Sequence, residues 1–385
     1  MSIIAGQAVR GDNFWDRPYL MADIFDVVEN GGHILLVAPR RVGKTSLMYK
    51  IQDTANKDHI VVYVNTQAAH SANAFWEKLF ERLMDEEFIN PLKSKAKKLY
   101  KTLKSIRISE VSIKGIKFGK SKVINHAKAF ETLLKSLDSD KKLIIMLDEF
   151  SQTIENIIKY QSIEEAEQLL ENHRDLRQNH QLLQKTVFVY AGSIGLESVV
   201  ANIQSSKHIN DLVNVDVPPL EYDDAKSFAA HLCNSNRMTI EEADIEYMLD
   251  KILWLIPFNI QLVAQELKRL YRREPIINST VVDAAIENVL KHKKDFIHWQ
   301  ERLEIFDNIE YKFSIDVLNT LSTNGKIPST EIFNLANKHK LEESKAKTVI
   351  HALRYDGYIN NKEDARTYHF NSPILRTWWY RNVAN

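Results

Sequence analysis

The stretch APRRVGKTSL, Ala38 to Leu47, decides how the rest of the sequence is read. It follows the pattern G-x-x-x-x-G-K-[ST], except that Ala38 stands where the first glycine is usual. The first position only has to turn the chain out of a strand, and alanine is the next smallest residue. Gly43 carries the stricter demand, because it lets the backbone come within hydrogen-bond distance of a phosphate. Lys44 then supplies a point charge for β and γ oxygens, and the Thr45 hydroxyl can ligate Mg²⁺. On one side HILLVA reads as a short buried strand; on the other, Leu47, Met48 and Ile51 recur at helical spacing. Strand, loop and helix together aim a helix N-terminus at an anion. Pro39, Arg40, Arg41, Val42, Gly43, Lys44, Thr45 and Ser46 are therefore the expected cradle for a nucleotide, with ATP and Mg²⁺ as its cofactors.

Composition bounds what surrounds this loop. The chain has 385 residues, enough for two or three domains, with 44% apolar and 26% charged residues, the balance of a soluble globular protein. Lys+Arg and Asp+Glu both total 51, so affinity for nucleic acid would have to come from local patches. A single cysteine, Cys233, excludes an intramolecular disulfide and a cysteine-based zinc cluster. It is expected to be a buried, inert thiol in a reducing compartment. The N-terminal MSIIAGQAVRGD lacks a basic lead and a long apolar core, and runs such as LIIML are far short of a membrane span. The expectation is a cytoplasmic protein without membrane association.

Four more apolar runs of strand length follow: His59 to Asn65, Lys142 to Phe150, Thr186 to Ser193 and Leu212 to Pro218. Helical patterns separate them, and the runs read as apolar on both faces, which predicts an α/β fold with a parallel sheet of at least five strands covered by helices. From Asp223 to about Lys294 the pattern is helical throughout and reads as a lid. From about Asn308 it reads helix, turn (TNGKIP), helix, longer helix and a final ribbon, YINNKEDARTYHFNS, the plan of a winged helix. The expected division is residues 1–220 for the nucleotide core, 221–300 for the helical lid and 301–385 for the winged helix.

The ends of the strands carry the chemistry. LIIMLDEF delivers Asp148 to the carboxyl edge of the sheet, where an aspartate can hold Mg²⁺ through its water shell. Glu149, one residue on, can orient and deprotonate the water that attacks the γ-phosphate. Ser193, ending the next strand, offers a small hydroxyl at the same edge. Arg40, Arg41, Arg174 and Arg177 are candidates to stabilise charge in the transition state, each weighed against a structural ion pair. Lys44, Glu149 and Ser193 are thus the expected catalytic set, with Thr45 and Asp148 for the metal, and the enzyme class is an ATPase with slow or stimulated turnover.

Together PRRVGKTSL, LIIMLDEF, the strand ending AGSIGLE and the tail YHFNSPILRTWWYR resemble the archaeal-type ATPases of the STAND division of P-loop NTPases. The resemblance runs over nearly the whole chain, including GDNFWDR (Gly11 to Arg17), which looks like the family's F-x-G-R segment. It implies the strand order 5-1-4-3-2 and a polar sensor role for Ser193. Three positions depart from the pattern. Ala38 replaces the first loop glycine, Asp16 stands where F-x-G-R has its glycine, and WLIPFNIQ keeps Pro257 without the glycine expected shortly before it.

Two patches bear on partners. Pro91 to Ala127 holds ten lysines and Arg107 against Glu110 alone, a concentration that suits a phosphate backbone, an acidic partner or a solvated helix and ribbon. In the last unit Lys345, Lys347, His351 and Arg354 recur on the third helix at spacings that could face a groove, and Lys362 and Arg366 fall on the wing, amid Glu342, Glu343, Glu363 and Asp364. Trp378 and Trp379 read as a packed anchor. Two functions follow: a nucleotide-driven switch that controls a protein partner or an assembly, with stress or foreign-DNA response as family habit, or an ATP-regulated protein that binds duplex DNA. Self-association into a homo-oligomer is compatible with both.

Overall fold

The computed structural model describes residues 1–85, 126–135, 140–193 and 195–385, so the lysine-rich stretch lies outside the described residues except for its last two. Cα proximity divides the chain into two compact units. One comprises Arg17–Val37 and Met48–Asp216; the other comprises Met1–Asp16, Ala38–Leu47 and Val217–Asn385.

The first of these is built on a sheet. In chain order its elements are α1 (Pro18–Glu29), β1 (His33–Val37), α2 (Lys44–Thr54, whose first turn belongs to the other unit), β2 (His59–Asn65) and α3 (Ala72–Met84). Then come α4 (His126–Lys135), β3 (Lys142–Asp148), α5 (Phe150–Tyr160), α6 (Ile163–Arg177), β4 (Thr186–Tyr190), α7 (Leu196–Asn202) and β5 (Leu212–Asp216). The five strands are parallel in the order β2-β3-β4-β1-β5. Leu147 and Leu35 both lie opposite Tyr190, so β1 and β3 end on one edge of the sheet with only β4 between them. Strands β3 and β4, buried almost throughout, are the continuous apolar runs expected of a covered parallel sheet. Strand β5 departs from that expectation: it pairs with β1 alone among the described residues and leaves Val213 41% exposed. In this edge strand only Val215 is buried, so the apolar run reports β propensity rather than burial.

Buried polar groups cross the core of this unit. Helix α6 starts at a Ser162 cap and carries His173 and Arg177 inward. His173 lies flat against Trp76 at 5.0 Å, with Phe75 and Phe150 edge-on, and its Nδ1 meets the Tyr190 hydroxyl at 3.0 Å. Arg177 bonds both carboxylate oxygens of Asp211 (2.7 and 2.8 Å), the Tyr190 hydroxyl and the His208 carbonyl. Burial pushes His33, beside Arg177, down to about 4, so it stays neutral while Nδ1 accepts the Phe188 amide. Arg177 is therefore a fold residue and not a transition-state cation: at 3% exposure its guanidinium donates four hydrogen bonds within this unit. Arg174 donates to the Lys207 carbonyl.

The second unit is mainly helical. Helices α8 (Tyr222–Ser235), α9 (Glu242–Ile252), α10 (Pro257–Tyr271) and α11 (Ser279–Lys291) form its first part, joined by the short α12 (Ile297–Arg302). The second part runs α13 (Asn308–Asn324), β6 (Lys326–Pro328), α14 (Ser329–Lys338), α15 (Glu343–Tyr355), β7 (Ile359–Asn360), β8 (Thr367–Phe370) and α16 (Pro373–Trp379). Helix α13 opens with a reciprocal capping box, Asp307 with Glu310, which satisfies amides that a helix start leaves orphaned. The turn expected at TNGKIP includes a strand, because β6 pairs antiparallel with β8 in a three-stranded sheet, β6-β8-β7. Trp378 and Trp379 are buried as expected; Phe296 stacks on the first and Asn319 accepts the indole N–H of the second at 2.9 Å. Cys233 is buried, and burial pushes its thiol up to about 12, which leaves it protonated and unreactive. Among the described residues no helix is long and apolar enough to cross a membrane.

One backbone outlier answers a sequence oddity. Leu253, four residues before Pro257, adopts φ 53 and ψ −49, and the Trp254 amide donates to the Ile252 carbonyl at 2.6 Å across it. This is a strained γ-turn on a side chain 64% exposed, where glycine would meet no steric penalty. Leu253→Gly is expected to stabilise the protein by about 1 kcal/mol, as relief of strain exceeds the added unfolded-state entropy. Equilibrium denaturation measures it, and a destabilised variant would show that the leucine side chain, not the turn, dominates there.

Candidate functional site

The phosphate-type loop and the strand-end carboxylates belong to different compact units, and each is organised by its own neighbours. In the loop, Ala38 is 2% exposed and needs no positive φ, so alanine meets the demand that glycine usually meets. Gly43 does need it, with φ 109 and open space around the position of a Cβ. The Leu47 amide donates to the Gly43 carbonyl at 2.9 Å, so the helix proper begins at once and its first-turn amides have no acceptor within the helix. Lys44 is buried and its ammonium donates to the carbonyls of Ala38 (2.6 Å) and Pro39 (3.0 Å), closing the loop on itself. Val42 is 1% exposed and pins the loop from inside, Thr45 is half-buried, and Ser46 accepts the Val9 amide at 3.0 Å.

The rest of this unit grips the loop. Arg41 has φ 66, and its guanidinium lies 4.2 Å over the Phe258 ring. Its Nε donates to His298 at 3.2 Å. Burial, then the charges of Arg41 and Arg40, push His298 down to about 3, so the imidazole is a neutral acceptor. Asp356, fully buried, pairs with Arg302 at 3.4 Å, and its carboxyl is pushed up by burial against the opposing charges of Arg302, Arg40 and Lys44. The next residue, Gly357, has φ 88, and a Cβ there would come within 2.9 Å of Pro39 and 2.7 Å of Trp254. Arg41 is thus turned onto α12 and α10, while Arg40 lies in the field of the Asp356 carboxylate.

At the end of β3 the chain makes a sharp elbow. Glu149 sits in the left-handed region (φ 57, ψ 32), a conformation that costs a non-glycine residue on the order of 1–3 kcal/mol and persists only when neighbours enforce it. Both flanking strands do so. From β2, the Thr66 amide and hydroxyl donate to the Asp148 carbonyl at 2.9 and 3.0 Å, and Thr153 on α5 locks Thr66 in turn. From β4, Ala191 accepts the Phe150 amide at 2.9 Å, and Ser193 donates its amide (2.9 Å) and hydroxyl (2.8 Å) to Glu149 Oε2. Ser193 therefore meets Glu149 directly. The Asp148 side chain accepts from Tyr63 at Oδ2 (2.8 Å) and from the Glu149 amide at Oδ1 (3.1 Å). Nothing in the sequence marks Thr66 and Thr153; the signal for Tyr63 is a polar tip among the aliphatic residues Ile60 to Val64 of β2.

Among the described residues no group of three or more His, Cys, Asp or Glu side chains is placed to hold a metal. The donors on offer are the Thr45 hydroxyl and the Asp148 carboxylate. Each is a hard oxygen donor of the kind that magnesium takes alongside water and phosphate oxygens.

No protein-family profile matches the sequence, and no curated protein does. Solved structures do. A Walker-type ATPase of Pyrococcus abyssi superimposes with a TM-score of 0.67 at 17% identity, covering 98% of this chain and 99% of that one. The ORC2 protein of Aeropyrum pernix, solved as ADPNP–ADP complexes, gives 0.56 at 10% identity, covering 95% and 94%. At such identities the likeness is one of architecture: over nearly its full length this chain shares an α/β fold with a parallel sheet and many helices with these two structures.

Proposed function

We propose that the protein is a Mg²⁺-dependent ATPase that works as a nucleotide-driven switch for a protein partner or assembly, and that it is an archaeal-type member of the STAND division. One observation carries the reading: β1 leads through Gly43 into Lys44 and Thr45, while β3 of the same parallel sheet ends in an elbow that sets Asp148 and Glu149. In this reading residues 1–220 are the nucleotide core, 221–300 the lid and 301–385 a winged helix, in a reducing, cytoplasmic setting.

The roles follow from chemistry. The loop residues Pro39 to Ser46 surround the phosphates, with first-turn amides of α2 as donors. Lys44 exchanges two neutral carbonyl partners for phosphate oxygens, a trade favoured because a charged acceptor bonds an ammonium more strongly. Thr45, and Asp148 through water, would hold magnesium, which would supply positive charge to the phosphates. Glu149 takes the proton of the attacking water, and Ser193 holds Glu149 in place for it. Support for a switch comes from the grip of α10, α12 and Gly357 on the loop, since nucleotide and C-terminal unit engage the same residues.

A second reading, ATP-regulated binding of duplex DNA, has one observation in its favour: Lys347, Thr348, His351 and Arg354 are exposed along one side of α15. Its charge is partly offset, as Lys347 pairs with Glu343 at 2.5 Å. Phosphate release from ATP, with and without duplex DNA, decides between them. Wild type is expected to turn over slowly and indifferently to DNA, with Lys44→Ala at least about a hundredfold slower. Stimulation by DNA would favour the second reading, and turnover no better than Lys44→Ala would refute the enzyme.

A further inference from the structure

Asp148 is oriented by a side chain from the neighbouring strand, and that side chain is itself oriented. Tyr63 Oη donates to Asp148 Oδ2 at 2.8 Å, while the Glu149 amide occupies Oδ1 at 3.1 Å, so both oxygens of the carboxylate are tied. The Tyr63 ring meets the Tyr49 ring edge-on at 5.0 Å and 60°. Tyr49 belongs to α2, four residues after Thr45 and hence on the same side of the helix. Contacts therefore run from the helix that opens at the phosphate-type loop, through two tyrosines, to the strand-end aspartate.

Packing does not require this hydroxyl. Val62 and Val64 supply the buried face of β2, Tyr63 is half-buried on the other, and a phenylalanine would fill its volume. What the hydroxyl adds is direction. Tyr63 Oη lies 2.8 Å from Asp148 Oδ2, a contact in which a carboxylate can only accept, so the phenol is the donor. With Thr66 clamping the Asp148 carbonyl, backbone and side chain of this residue are both fixed from β2.

We propose that Tyr63, steadied by Tyr49, is a positioning residue that fixes the rotamer of Asp148, the carboxylate assigned above to the water shell of the nucleotide's magnesium. This rests on the ATPase reading. Residues that orient metal-binding carboxylates typically change metal affinity about 10- to 100-fold when removed, and one neutral hydrogen bond belongs at the lower end.

The test uses the full chain and a fluorescent ATP analogue, titrated with Mg²⁺ and also measured in EDTA, for wild type, Tyr63→Phe, Tyr49→Leu and Asp148→Asn. Tyr63→Phe is expected to keep its melting temperature and its affinity in EDTA, while the Mg²⁺ concentration giving half of the metal-dependent gain rises about tenfold. Tyr49→Leu, which removes the ring contact, should move the same way by less, and Asp148→Asn by more. A wild-type Mg²⁺ curve for Tyr63→Phe beside a shifted Asp148→Asn overturns the positioning role and leaves the ATPase reading intact. If Asp148→Asn also gives the wild-type curve, the assignment of Asp148 falls and the proposal with it. Weakening of Tyr63→Phe equally with and without Mg²⁺ overturns it too, as a purely structural role. Should Tyr63→Phe fail to fold, an unchanged curve for Tyr49→Leu is the overturning result.

Discussion

Glu149→Gln is expected to bind ATP as wild type does and to hydrolyse it about 10²- to 10⁴-fold more slowly, the range for loss of a general base. The substitution is nearly isosteric, and a glutamine Oε1 can still accept both bonds that Ser193 donates to the carboxylate. The elbow should therefore survive, since Thr66, Thr153 and Ala191 hold its backbone independently of the side chain. What disappears is the capacity to take a proton. Phosphate release together with equilibrium binding of a fluorescent ATP analogue separates the two effects. Wild-type turnover in Glu149→Gln would remove Glu149 from the chemistry; lost binding would mean that the carboxylate supports the fold of the site instead.

The second large effect lies away from the strand-end elbow. Asp211→Ala is expected to destabilise the sheet-containing unit by about 3–5 kcal/mol, the cost of leaving a buried charge without its partner. Arg177 has a side chain 2% exposed and cannot reach water without moving α6, whereas Asp211 at 21% is the more accessible member of the pair. The Tyr190 hydroxyl and the His208 carbonyl remain as acceptors, but neither carries charge. Arg177→Met/Asp211→Ala, which removes both charges, should recover part of the loss, because burying neither ion avoids the desolvation penalty. Denaturant midpoints of wild type and the two variants test this. A cost below about 1 kcal/mol for Asp211→Ala would place the pair among ordinary surface bridges.

These two expectations show where sequence reading reaches and where it stops. The strands were legible because β3 and β4 are apolar along nearly all of their buried length, and the loop because few residue orders put glycine, lysine and threonine at the start of a helix. Arg177 was not: nothing in ENHRDLRQ distinguishes a guanidinium facing a phosphate from one facing Asp211, thirty-four residues on. Leu253 shows a middle case. The missing glycine before Pro257 was visible, but only the backbone reveals that leucine accepts the strained turn instead.

By itself the sequence determined the α/β alternation, the phosphate-type loop, the acidic strand end and the helical character of the C-terminal part, all local patterns of spacing and residue type. Tertiary structure alone decided the neighbours. It decided that Ser193 meets Glu149, that Tyr63 meets Asp148 across a strand pair, that Arg41 turns to His298, and that Gly357 lies against Pro39. Those contacts join residues up to about three hundred positions apart, and no periodicity records them, because strand order and helix docking are set by the burial of whole faces rather than by any short run of residues.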